Sequence, residues 1–164
     1  MDESAFRRTR GAMNPQPCAF EKAMLAHCCA CSLAERRNIA EREAVACGSP
    51  PAREQCAALR VLLRQNSAFA LKLAHVDGPL PHAKEMKVQC GGLQGVQLAV
   101  EPAVAVAGSA VALASGAPDV PSVDDVHGLV VASREKFGDL ANLPYSAIIQ
   151  SVVAHQIRRR RRVQ

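Results

Sequence analysis

The chain has 164 residues, with four phenylalanines, one tyrosine and no tryptophan. That length suits one domain, since domains mostly run about 100–150 residues, and so few rings argue against a base-stacking surface for nucleic acid. The net charge of +5 is matched by the five arginines Arg158, Arg159, Arg160, Arg161 and Arg162, so the body of the chain is neutral and the basic character belongs to a tail.

Residues 1–13 are charged and aperiodic, with a small basic patch at Arg7, Arg8 and Arg10. They read as a disordered N-terminus with no apolar core of a signal peptide. Asn14-Pro15-Gln16-Pro17 is a breaker, and proline fits the first turn of a helix. Good helix formers then follow almost without interruption, among them Glu21, Lys22, Met24, Leu25, Ala34, Glu35, Arg36, Glu41 and Arg42. They predict a long first helix from Pro17 to Ala46.

Cys18, Cys28, Cys29 and Cys31 fall in that stretch, four of the seven cysteines. Cys28 and Cys31 are three apart and would share a helical face. Cys47-Gly48-Ser49-Pro50-Pro51 ends the first helix, with glycine as its cap. Ser49 is the expected N-cap of a second helix with proline in its first turn. That helix is predicted over Pro51 to Ala74. Its seam is Cys56, Leu59, Leu63, Asn66, Ala70 and Leu73, in steps of three and four. A short connection makes the two helices antiparallel neighbours.

Helical rise then sorts the cysteines into two sets. Cys18, Cys28 and Cys31 lie at the open end of the hairpin. The segment from His75 to Gly95 emerges at the same end and carries Cys90, with His75 and His82 as alternative ligands. Cys47 and Cys56 lie near the turn, on the order of 30 Å away, and Cys29 is left over. Pro79 and Pro81 favour extended backbone there. Gly91-Gly92 would let the chain turn tightly behind Cys90.

Residues 96–121 read as an Ala/Val/Gly linker. Residues 122–157 read as a second, shorter helical hairpin. Ser122 to Asp125 form a capping-box variant, Gly138 closes one helix and Pro144 opens the next. Residues 158–164 are the basic tail. The domain organisation is therefore a disordered 1–13, a cysteine-rich helical hairpin over 14–95, the linker, the second hairpin and the tail.

The expected fold is all-α: a long antiparallel helical hairpin, a Pro/Gly-rich cysteine segment and a short C-terminal helical hairpin. The expected site is Cys18, Cys28, Cys31 and Cys90. Four thiolates suit an iron–sulfur cluster, with zinc as the alternative. An odd cysteine count and no signal peptide favour a reducing cytoplasm, where such cysteines bind metal more often than they form disulfides. No catalytic motif is present, and no nucleophile is matched to a base. The function expected is a small metal- or iron–sulfur-binding protein that acts as electron carrier, redox sensor or accessory subunit. The alternative is a zinc-stabilised or metal-free helical adaptor, meeting a protein, nucleic acid or anionic surface through Arg158 to Arg162. The most apolar run, Pro102 to Pro118, is too short to cross a membrane.

Overall fold

Propensity and packing disagree over residues 17–47, and packing prevails. In a computed structural model that describes residues 2–102 and 122–156, the long first helix is absent. In its place stand a short helix α2 (Glu21–Leu25) and an antiparallel hairpin of β1 (Ala34–Ile39) and β2 (Arg42–Cys47). The fold is thus mixed rather than all-α. Residues Glu35 to Glu43 are polar on every side, so a helix there has no apolar stripe to bury. As a strand, β2 buries Ala44, Val45 and Ala46. Arg36 pairs with Glu43, both side chains exposed. The hairpin turns through Ala40 in the left-handed region (φ 54°), a conformation that costs an L-residue roughly 1–2 kcal/mol.

The segment preceding α2 lies along the free edge of β2. Pro17 bridges to Ala46, the Cys18 N–H donates to the Val45 carbonyl at 2.9 Å, and the Cys47 N–H donates to the Gln16 carbonyl at 2.9 Å. Residues expected to be disordered form helix α1 (Glu3–Met13), which joins the body through the Arg10–Glu21 ion pair.

Other elements lie close to their expected places. Helix α3 (Pro50–Ser67) begins with Ser49 as N-cap, its Oγ accepting from the Ala52 N–H at 3.4 Å. Cys56, Leu59 and Leu63 of the predicted seam are buried. Asn66 is exposed and donates to the Leu62 carbonyl, so it fixes no register. The helix also stops seven residues before the predicted end. Helix α4 (His82–Met86) passes through a π-helical turn (Lys87–Gly91) into α5 (Gly92–Val100). Residues 92–100 are therefore helix, part of it where the linker was expected. After the undescribed residues come α6 (Val126–Phe137), closed by Gly138 at φ 81°, and α7 (Tyr145–Ala154) behind Pro144. These two match the predicted C-terminal pair. The rest of the linker and the arginines Arg158 to Arg162 lie outside the described residues.

One apolar core unites both halves. Phe20, Met24, Val45, Leu59, Leu63, Val88, Leu93, Val96, Val130 and Ile148 all belong to it. Running through it is a polar chain. Arg64 of α3 pairs with Glu85 of α4 at 2.6 Å, with side chains 12% and 3% exposed. The other Glu85 oxygen accepts from Gln89 Nε2 at 2.6 Å, and Gln89 Oε1 accepts from the Ala23 N–H at 3.1 Å. Removing one partner of a buried ion pair strands the other. Glu85→Ala is therefore expected to lower stability by about 3–5 kcal/mol, read as a fall in the urea midpoint at unchanged slope, with a smaller loss for exposed Glu43→Ala.

Candidate metal centre

Three ligand-bearing side chains from distant parts of the chain meet at one point. Cys28 Sγ, Cys90 Sγ and a ring nitrogen of His155 all lie within 4.8 Å of one another. Each arrives by a local device.

Cys28 sits just after α2, where His27 adopts a left-handed conformation (φ 57°) and the Cys28 N–H donates to the Ala23 carbonyl at 3.0 Å. The loop that follows is stitched to the entrance of α6. Ser122 Oγ donates to the Cys28 carbonyl at 3.1 Å, and the Ala30 N–H donates to the Val123 carbonyl at 2.8 Å. Asp125 Oδ1 accepts from the Ser32 N–H at 3.1 Å. Ser122 and Asp125, expected as a capping box, thus hold this loop. Cys90 lies in the π-helical turn, directly after Gln89, whose side chain holds α2. A π turn inserts one residue into a helix and re-aims the side chains around it, which is why such turns recur at functional sites.

His155 lies just beyond α7. Gly91 is what lets that end of α7 come so close. A Cβ there would stand 2.7 Å from the Ser151 carbonyl oxygen, 2.7 Å from Val152 Cα and 3.0 Å from His155 Cβ. Gly91 and Gly92 therefore serve close helix packing, not the tight turn expected behind Cys90. Lys87 Nζ donates to the Val153 and His155 carbonyls at 2.9 and 2.8 Å and caps α7. His155 Nδ1 is 3.4 Å from Gln94 Oε1. In the tautomer that donates to Gln94, Nε2 is left free as a ligand.

The electrostatics suit a cation. A hydrogen bond with Cys28, then burial, pushes the Cys90 thiol well above its ordinary range. Burial first, and then the charge of Lys87, lowers the His155 pKa and keeps the imidazole neutral, which is its ligating form. Thiols held protonated until a cation displaces the proton bind metal with proton release. Two sulfurs and one nitrogen match zinc-class ions, and three protein ligands leave a fourth position open.

Of the four cysteines singled out from the sequence, the structure brings Cys28 and Cys90 together. Cys18 and Cys31 line a different small void. His75 and His82 are exposed and join neither group. His155 was passed over because nothing in its local sequence marks it. Gln94 and Lys87 carry no motif either.

No family model matches the chain, and no curated protein or solved structure matches it. Among the described residues, no helix is long and apolar enough to cross a membrane.

The lowered His155 pKa has a consequence for stability. The unfolded imidazole, near its ordinary 6.5, takes up a proton that the folded one resists. The folded state of the metal-stripped chain therefore has its full His155 contribution above pH 6.5 and loses it as pH falls from there toward the depressed folded value. His155→Gln is expected to flatten this part of the stability profile, measured by urea unfolding at a series of pH values.

Proposed function

We propose that this is a metal-binding protein that holds one thiophilic ion of the zinc class through Cys28, Cys90 and His155, and acts as a metal-dependent accessory or sensor rather than as an enzyme with its own nucleophile. The supporting observation is the convergence of the three ligand atoms within 4.8 Å. That spacing suits donors around one ion. An iron–sulfur cube holds its thiolates farther apart and wants four of them. Cys18 and Cys31, the other expected cluster ligands, lie at a separate void.

The ion would tie together the loop after α2, the π-helical turn and the end of α7. Its binding energy would then be folding energy for all three. Arg158 follows His155 by three residues in sequence, so the ion would fix the point from which the arginine run departs. An anionic partner of that run belongs to the same proposal.

Titration of the stripped full-length chain with zinc, in competition with a chromophoric chelator, tests the reading. Cys28→Ser, Cys90→Ser and His155→Ala are each expected to lose this ion. Gln94→Ala, which removes only the partner of the imidazole, should weaken binding about 10–100-fold. A brown protein with iron and sulfide lost in Cys28→Ser would instead restore the cluster reading. Unchanged zinc affinity in all three ligand variants would end the proposal.

A further inference from the structure

The same chain reversal that dissolves the first helix gathers four of the five remaining thiols. Cys18, Cys31, Cys47 and Cys56 line one small void together with Ala46, Ala52 and Val126. They come from four places: the edge segment beside β2, the loop before β1, the end of β2 and the second turn of α3. Backbone pairing brings them there. Cys18 and Cys47 are drawn together along β2 by the Cys18-to-Val45 and Cys47-to-Gln16 bonds. Ala34 pairs with Cys47, and the Gly48 N–H donates to the Leu33 carbonyl at 2.8 Å, which carries the Cys31 turn to the same spot.

A further observation marks this as a ligand site: the void itself, about 20 Å³. That is room for one water-sized sphere, too little for an eight-atom iron–sulfide cube, and a water there would face mostly thiols and methyl groups.

We propose that Cys18, Cys31, Cys47 and Cys56 form a second, closed metal site that takes one zinc-class ion through four thiolates. Four protein sulfurs around one ion is the arrangement of structural zinc. Cys47 Sγ donates to the Ser49 carbonyl at 3.3 Å. Among the described residues only Cys28, Cys90 and His155 close three ligand atoms to within 4.8 Å. Binding at the four-thiol void therefore draws the sulfurs inward by side-chain rotation and releases the thiol protons to solvent.

The test uses the full chain, stripped of metal under reducing conditions and titrated with cobalt(II) and then zinc. A double variant, Cys28→Ser with Cys90→Ser, is expected to retain one ion per chain with the intense visible bands of a tetrahedral all-sulfur cobalt centre. Cys47→Ser and Cys56→Ser are each expected to lose that spectrum and one zinc equivalent while the Cys28–Cys90–His155 ion stays. Cys47 is half-buried, so Cys47→Ser, checked by circular dichroism, keeps the test sound if Cys56→Ser fails to fold. The inference is overturned if the double variant binds no ion. It is equally overturned if Cys47→Ser leaves the zinc content unchanged, or if iron and sulfide replace the single ion. One ion held by the four thiols alone would uphold this site and reject the three-ligand one.

Discussion

The buried chain from Arg64 through Glu85 and Gln89 to the Ala23 amide is the constraint on which the rest of the structure depends. Burying a guanidinium and a carboxylate costs several kcal/mol per ion unless each is answered by geometry and further hydrogen bonds. Glu85 answers with both oxygens, one to Arg64 and one to Gln89. Gln89 then spends its own oxygen on the α2 backbone. The relay fixes α2 against the π-helical turn, and so fixes Cys28, which follows α2, relative to Cys90, which follows Gln89. Hydrophobic packing is non-directional and would tolerate a slip of α2 along the core. A bond to one particular amide does not. Glu21 repeats the device at the other end of α2, where Oε1 accepts from the Val45 N–H at 3.0 Å while Oε2 meets Arg10. Two buried carboxylates therefore register a five-residue helix that could not stand alone.

How much of this was legible from the residues depends on whether the signal was local. The N-cap Ser49 with its two prolines, the glycine after Phe137 and the proline before Tyr145 act through neighbours in sequence, and the helix ends they mark are where they were expected. The region from Pro17 to Cys47 misled because propensity there is locally helical while its second half has nothing to bury as a helix. The hairpin that forms instead turns through Ala40 and Glu41, without the glycine or asparagine that usually announces such a turn. Once the first helix was assumed, helical rise placed Cys47 and Cys56 far from Cys18 and Cys31. The misplacement of Cys47 and Cys56 was inherited from the error in the fold. Cys28 and Cys90 lie near each other because both flank segments that meet in either architecture. His155 was invisible for a different reason: its ligand partners lie more than sixty positions away, and no spacing rule connects them.

The two thiol groups differ in the way that separates structural from functional metal sites. Cys18, Cys31, Cys47 and Cys56 offer four donors on the β-hairpin side and leave no coordination position for an outside ligand. Cys28, Cys90 and His155 offer three and leave one. The four-thiol group spans residues 18–56 and belongs to the framework that holds the Cys28 loop. The three-ligand group reaches to the end of the last described helix. An ion in the first would stiffen the platform, whereas an ion in the second would report on whether α7 is docked.

That last difference decides how an ion at the proposed three-ligand site would act. Any ligand that binds only the folded arrangement stabilises it by RT ln(1 + [L]/Kd), about 1.4 kcal/mol for each tenfold of free ion above Kd. The docking of α7 rests on the close approach at Gly91, the packing of Gly95 against Ile148, and the two carbonyls capped by Lys87. Of these, the Gly91 approach and the cap lie with His155 at the end of the helix, where unravelling begins. Local opening free energies fall toward zero at chain ends, so a few kcal/mol of ion binding at His155 is large against what holds that last turn and small against the whole fold. An ion at the proposed site would change the end of α7 first and the body last.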